Sequence, residues 1–325
     1  MPRAVVLALV LAACGDNLAA LPFAELDAAR VAAECSRLAR CGLFTDEATC
    51  LAYFRARPDA DLAAAIDSGK VLYNPRAAEA CIADLAARGC DLTAPDGRAL
   101  PDSCARMFTG TLDLGEPCAF DAECVSSSCD APACPRNMCC LGTCASTIPD
   151  GECNRDADCG PDRFCDAPAH TCHALADVGA ECTADTQCAY GLGCIGATDL
   201  QPGNCRALPH LGERCPYQRC ADLGTVCTNG TCVAVGLPGS PCITGADCSP
   251  YAHCAADTQT CANIPVLGEP CNGSCAGEAY CDLETRLCTM PKPNDQPCSA
   301  SDQCESLYCE EGPFFDQCST PVLCT

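Results

Sequence analysis

Residues Gly151 to Cys172 read G-E-C-N-R-D-A-D-C-G-P-D-R-F-C-D-A-P-A-H-T-C. Four cysteines, Cys153, Cys159, Cys165 and Cys172, stand with five, five and six residues between them, behind a glycine that opens the unit. The C-terminal two thirds of the chain repeats this plan, and internal repeats of this period mean an array of small units. Gly115-Glu116-Pro117-Cys118, Gly179-Ala180-Glu181-Cys182, Gly212-Glu213-Arg214-Cys215, Gly239-Ser240-Pro241-Cys242 and Gly268-Glu269-Pro270-Cys271 open further copies. Asp295-Gln296-Pro297-Cys298 opens a degenerate seventh, and the period is 27–36 residues.

The five middle units carry four cysteines each. Beyond the first set they are Cys182, Cys188, Cys194 and Cys205; Cys215, Cys220, Cys227 and Cys232; Cys242, Cys248, Cys254 and Cys261; and Cys271, Cys275, Cys281 and Cys288. The opening glycine suits a positive-φ turn. The segment between third and fourth cysteines reads as a hairpin, most clearly in Cys227-Thr228-Asn229-Gly230-Thr231-Cys232, because Asn-Gly is the strongest short hairpin signal. Each unit is therefore a turn, a loop, a small hairpin and two bridges. The end units differ, as terminal repeats do. The first has Cys118, Cys124, Cys129, Cys134, Cys139, Cys140 and Cys144; the last has Cys298, Cys304, Cys309, Cys318 and Cys324. Both counts are odd, so either the ends share cysteines with neighbours or the borders of the units shift.

Composition agrees. Of 325 residues 39 are cysteine and none is tryptophan. That cysteine content marks a disulfide scaffold. Past residue 110 there is little Leu, Ile, Val or Phe for one large core, and small thin-cored units need covalent staples. The net charge is −24, with Lys70 and Lys292 the only lysines. Such a surface repels phosphate backbones, which excludes nucleic acid as a partner.

The chain begins with an address. Arg3 precedes the apolar run Ala4 to Ala13, which is too short to span a bilayer and has the anatomy of an export signal. Leu11-Ala12-Ala13-Cys14 resembles a bacterial lipobox, which implies removal of residues 1–13 and lipidation of Cys14. Without Cys14 an even 38 cysteines remain to pair. Residue 15 is glycine, not the acidic residue that favours inner-membrane retention in enteric lipoproteins, so the resemblance points to the outer membrane or cell surface. Export places the chain in an oxidising compartment.

Residues 14–21 read as a lipid-anchored linker and residues 22–108 as a small all-α, alanine-rich domain. Helix formers run from Pro22 to Arg40, with a buried stripe of Phe23, Leu26, Arg30/Val31, Cys35, Leu38 and Cys41, and Gly42 stops the helix. Thr45 is expected to cap a second helix. A third runs from Asp61 to Ser68. Asn74-Pro75 starts a fourth that reaches Gly89-Cys90, and Val71-Leu72-Tyr73 reads as a short apolar link. Cys35, Cys41, Cys50, Cys81, Cys90 and Cys104 would close this domain with three bridges, though six cysteines allow 15 connectivities.

Within residues 115–325 the spacing of Cys118, Cys124, Cys139, Cys140 and Cys144 resembles the Dickkopf N-terminal, colipase-like cysteine-rich domain. The four-cysteine units look like trimmed copies. The resemblance implies interleaved bridges, first with third and second with fourth, as in Cys153–Cys165 and Cys159–Cys172. Each bridge would contribute about 2–4 kcal/mol.

Catalytic and metal chemistry is not legible. No Cys-x-x-Cys occurs, which argues against zinc ribbons and thioredoxin-like sites. His170, His173, His210 and His253 stand in loops and read as solvated. Asn154-x-Asp156-x-Asp158 begins like a calcium loop, but the sixth position is Cys159 and the twelfth Cys165, so it is not an EF-hand. Asn229 and Asn272 sit in sequons that read as turns. No nucleophile elbow, phosphate loop or dinucleotide fingerprint is present. The sequence reads as small disulfide-rich repeats in an elongated array behind an all-α domain: a non-enzymatic, lipid-anchored surface stalk or interaction module without cofactor or metal. Its partner would be an extracellular protein or polysaccharide, met by the loops between second and third cysteines. The alternatives are an extracellular protease inhibitor and, less favoured, an unrecognised enzyme.

Overall fold

The structure is a computed structural model. It describes residues 20–319 apart from 57–58, 96–99, 131–140, 146–150, 154–155, 160–161, 167–168, 199, 278, 306–308 and 311–315. Cys14, Cys134, Cys139, Cys140 and Cys324 lie outside the described residues, as do residues 1–13.

The helical domain is built from α1 (Phe23–Arg40), α2 (Glu47–Tyr53), α3 (Ala60–Asp67), α4 (Pro75–Ala87) and the single turn α5 (Asp102–Ala105). Helix α1 buries Leu26, Ala33, Cys35 and Leu38 and packs on α4, which buries Ala78, Cys81 and Leu85. It ends where Gly42 takes φ +76. The Gly42 N–H then reaches Ala39 O at 3.1 Å and the Leu43 N–H reaches Leu38 O at 3.0 Å, the Schellman arrangement that satisfies the last carbonyls. Asn74 caps α4 as its sequence announces, with Oδ1 accepting from Ala77 N at 3.2 Å.

Four readings change. The cap of α2 is Asp46, not Thr45: its carboxylate accepts the Thr49 N–H at 2.7 Å. An ionised acceptor at the positive helix end is the stronger cap, and those bonds hold the Asp46 pKa below the usual carboxylate value. Helix α3 starts at Ala60, one residue early, and is capped by Asp59, whose side chain accepts from Leu62 N at 2.9 Å. Val71–Tyr73 is not a link but a strand, β1, paired antiparallel with β2 (Phe108–Gly110). Arg37, rather than Arg30, is the arginine on the buried face. It pairs with Glu34 at 3.2 Å and donates to Gly89 O at 3.2 Å. Three bridges, Cys35–Cys50, Cys41–Cys90 and Cys81–Cys104, tie α1 to α2, the end of α1 to the loop after α4, and α4 to α5.

Behind this domain stand the disulfide-rich units, each built on short antiparallel strands, three in the first and third units and two in the others, with no closed sheet among the described residues. In every unit the third and fourth cysteines of the bridged set face one another across the hairpin. The partners are Cys165 and Cys172, Cys194 and Cys205, Cys227 and Cys232, Cys254 and Cys261, Cys281 and Cys288, and Cys309 and Cys318, with Cys129 and Cys144 in the first unit. Directly opposed residues point to one face of a sheet, so both sulfurs reach off the hairpin to the first and second cysteines. The bridges are accordingly interleaved, Cys153–Cys165 with Cys159–Cys172 and Cys182–Cys194 with Cys188–Cys205. The same order holds in Cys215–Cys227 with Cys220–Cys232, Cys242–Cys254 with Cys248–Cys261, and Cys271–Cys281 with Cys275–Cys288. The end units follow with Cys118–Cys129, Cys124–Cys144, Cys298–Cys309 and Cys304–Cys318. Within a unit the buried cluster is chiefly these cysteines.

Each unit opens on a tight turn. The Glu116 N–H returns to Asp113 O at 3.1 Å and the Glu269 N–H to Val266 O at 3.0 Å. Gly115 and Gly268 take φ +86 and +83 at the third position, as a type II turn requires. In the seventh unit Asp295 takes that role at φ +67. Asn229 (φ 51) and Gly230 (φ 77) form the tight hairpin turn their sequence predicts.

Candidate interaction surface

Each unit offers two loops, one between its first and second cysteines and one between its second and third. In the third to sixth units the second loop turns inward onto the helical domain. The Gly191 N–H donates to Thr93 O at 2.9 Å. In the fourth unit the Leu223 N–H donates to Cys90 O at 2.7 Å, and the Leu92 N–H returns to Ala221 O at 3.0 Å. Gly224, at φ +76, lies so close to the Cys41 carbonyl that a Cβ would not fit. In the fifth unit the buried Ser249 Oγ donates to Leu43 O at 2.6 Å, and Tyr251 stacks on Phe44 with centroids 4.6 Å apart. In the sixth, Gly277 at φ +61 lies against the Tyr53 carbonyl. Leu223, Val235 and Tyr251 join the helical core of Leu38, Leu43 and Phe44.

The sequence reading assigned partner contacts to these second loops. For the third to sixth units that is corrected, because they are occupied within the chain. The physical reason lies in the irregular segments after α1 and α4, where Leu43 O, Cys90 O and Thr93 O stand outside any helix or strand ladder and take their donors from the units. Leu43 O just past α1 gains the Ser249 hydroxyl, and burial of Tyr251 raises its pKa above that of a free phenol.

The first loop of the first unit packs on the helical domain, where buried Glu123 pairs with Lys70 at 3.2 Å, whereas the first loops of the third, fifth and seventh units are exposed. In these three they make one 3₁₀ turn at Asp185–Gln187, Gly245–Asp247 and Ser301–Gln303, as the first and second units do at Asp121–Glu123 and Asp156–Cys159. The side chain just before the second cysteine folds back to hold the loop. Gln187 accepts from Thr183 N at 2.6 Å and Gln303 from Ser299 N at 3.0 Å. Asp247 accepts from Ile243 N at 2.9 Å and Thr244 N at 2.8 Å. The Thr244 and Ile243 backbone bonds hold the Asp247 pKa below the usual carboxylate range. Three residues after the first cysteine, a second side chain ties the loop to the hairpin. Asp121 accepts from Cys129 N at 2.7 Å, Asp156 from Cys165 N at 2.9 Å and Asp185 from Cys194 N at 2.7 Å. Asp156, singled out by its calcium-like spacing, thus serves as a scaffold acceptor in a role that Asp121 and Asp185 repeat.

On this fixed frame the displayed residue varies. Ile243 is 92% exposed, on a loop that cannot collapse to cover it. Leu200 and Leu283 project from hairpin tips, and Leu114, Val178 and Leu211 stand exposed just before their opening glycines. The surface around them is acidic. Arg219 is committed to Asp185 at 2.6 Å and to Cys194 O at 2.9 Å, linking the fourth unit to the third.

The histidines are not gathered into one site. His170 Nδ1 lies 3.1 Å from Cys153 O, and His173 Nε2 lies 2.9 Å from Thr171 Oγ1. His210 meets Asp222 at 3.0 Å, and that hydrogen bond raises its pKa. Sulfurs of Cys153, Cys159 and Cys172 lie within 4.8 Å of one another, as do those of other units, because two bridges stack. Being disulfide sulfurs, they carry no thiolate charge for a metal. A shallow open groove on α1 and α2, lined by Ala28, Val31, Leu51, Phe54, Arg55 and Ala56, has no acid–base pair.

Ser249, Tyr251, Gly224 and Gly277 were missed by sequence reasoning. The signal that marks them is a Gly or Tyr in the second loop of a chain with only 5% aromatic residues.

Among family models the Dickkopf N-terminal cysteine-rich region matches residues 152–198, the second unit and most of the third. Comparison with curated proteins returns no match, and comparison with solved structures returns none. The chain is thus a cysteine-rich, disulfide-stapled repeat protein with a Dickkopf-like segment.

Proposed function

We propose that this chain is a non-enzymatic interaction module, exported and held at the bacterial cell surface by a lipid on Cys14. It presents the first loops of its repeats to an extracellular protein. The observation that carries this reading is the division of labour between loops: the second loops of four units are spent on the helical domain, while the first loops of the third, fifth and seventh units are pinned by bridges and side-chain caps and left exposed. Preorganised loops lose little entropy on binding. Exposed apolar tips on an acidic ground suit a partner with apolar pockets and a basic rim.

The protease-inhibitor reading is less well supported at the most exposed loop. A loop bound like a substrate offers its backbone N–H groups to the enzyme, and those of Ile243 and Thr244 are already taken by Asp247.

The test is capture from the native cell surface with the full chain and with an Ile243→Asp, Tyr217→Asp variant, both positions being exposed in first loops. A partner captured by the wild type, and lost both in the variant and in high salt, is expected. Equal capture by both chains would overturn the assignment of the surface. Separately, Cys14→Ala is expected to release the protein from the membrane fraction, and continued membrane retention would refute the anchor.

A further inference from the structure

The helical domain ends in a second aromatic cluster, remote in sequence from the docking interface. Phe23 lies edge-on to Tyr73 at 5.4 Å and to Phe108 at 6.3 Å, and Tyr73 and Phe108 are 5.6 Å apart. The Tyr73 hydroxyl donates to Leu21 O at 2.9 Å, so the chain leading up from Cys14 is clamped at this cluster. Leu72, on the opposite face of the same strand, is 58% exposed, and its cross-strand partner Thr109 is exposed too. Asn74 N–H to Met107 O at 2.8 Å holds the two strand ends together. This brings exposed Arg76 and Arg106 to the same edge.

Charge separates along the chain. Residues 14–110 hold 10 basic and 14 acidic side chains, a net −4, whereas residues 111–325 hold 8 and 29, a net −21. A bilayer with anionic lipid repels the second region far more than the first. Leu21 lies seven positions after Cys14, and a fully extended chain spans about 3.5 Å per residue, so Leu21 stays within roughly 25 Å of the lipidated residue.

We infer that the exposed face of this strand pair, Leu72 with Thr109, together with Arg76 and Arg106 at its edge, is a bilayer-contact surface that seats the helical domain on the lipid headgroups. The inference rests on the anchor at Cys14. Exposed Leu72 adds apolar area, and arginines beside it lay their stems along the apolar surface while keeping contact with phosphate. The occupant is therefore a phospholipid surface.

The chain has no tryptophan, so a single introduced indole reports cleanly. Trp suits an exposed strand position, and full-length lipidated Leu72→Trp and Ile243→Trp proteins would be reconstituted in phosphatidylethanolamine–phosphatidylglycerol vesicles with and without brominated acyl chains. Loss of emission and a blue shift for Leu72→Trp, with neither for Ile243→Trp, is expected. Vesicle-bound Leu72→Trp that stays unquenched overturns the inference while leaving the anchor intact. A blue shift without bromolipid quenching assigns the edge to a protein contact and overturns it too. Failure of both proteins to float with vesicles defeats the anchor and the inference together.

Discussion

Two loops of the fifth unit are held by the same pair of bridges, Cys242–Cys254 and Cys248–Cys261, yet they have opposite fates. Ser249-Pro250-Tyr251 is committed to Leu43 and Phe44 of the helical domain. Ile243-Thr244-Gly245 is committed only to itself, through Asp247. The difference teaches that disulfides fix the shape of a unit without deciding which side faces in. That choice is made by a few residues able to serve the segments that follow the helices: a hydroxyl for a loop carbonyl, a ring for an apolar face, and a glycine where backbone must approach backbone.

The comparison breaks hardest at glycine. Gly224→Ala imposes a side chain at φ +76 against the Cys41 carbonyl, and strain at positive φ plus a backbone clash should destabilise the docked fourth unit by about 3 kcal/mol. Gly245→Ala in the outward loop meets nothing within 4 Å and has no positive φ. It should be neutral or stabilising by about 0.5 kcal/mol. Denaturant unfolding of both variants with bridges intact measures the contrast, and equal losses would remove it.

Tyr251→Ala comes next. It deletes a ring stacked on Phe44 and edge-on to Tyr53 and Phe54 at 5.2 and 5.4 Å. For a half-buried ring the cost is about 2–3 kcal/mol, read as faster amide exchange in residues 43–54. Ser249→Ala leaves the Leu43 carbonyl without its hydroxyl donor, a loss of about 1–2 kcal/mol; a midpoint unchanged from wild type would show the bond to be idle.

The smallest effect is electrostatic. His210 has a raised pKa because it bonds Asp222, and the backbone of Asp222 bridges Asp91 of the helical domain. A group whose folded pKa exceeds its unfolded value of 6.5 stabilises fully below that value, and the contribution fades as pH rises through the folded pKa. Stability measured from about pH 5.5 to about pH 8.5 should therefore fall slightly across the raised His210 pKa. His210→Gln should flatten that step.

Local signals were readable from the sequence wherever one residue type has one conformational use. Gly42 ends α1, Asn74-Pro75 starts α4, and the opening glycines mark six units. Choices settled over distance were not readable. Val71–Tyr73 looks like an apolar link because its partner, Phe108–Gly110, lies far along the chain. Thr45 and Asp46 are both good caps, and only geometry selects the carboxylate. Ser249 and Tyr251 resemble ordinary loop residues until the Leu43 carbonyl and Phe44 ring are brought beside them. The surface was therefore half legible: the staples that freeze the loops are spelled out, and the side facing out is not.

The incoming chain meets the units in two ways. Before the third, fifth and seventh units a backbone N–H, from Ala176, Gly236 or Lys292, donates to Gln187 O, Asp247 O or Gln303 O. Before the fourth and sixth units that place is filled by Pro209 and Pro265, which have no N–H and only accept, from Ala221 and Ala276. From the third unit on, the joints therefore alternate. Duplication or loss of a single unit would set two like joints side by side, whereas a pair leaves the alternation intact. Lineages of this architecture should gain and shed units in twos.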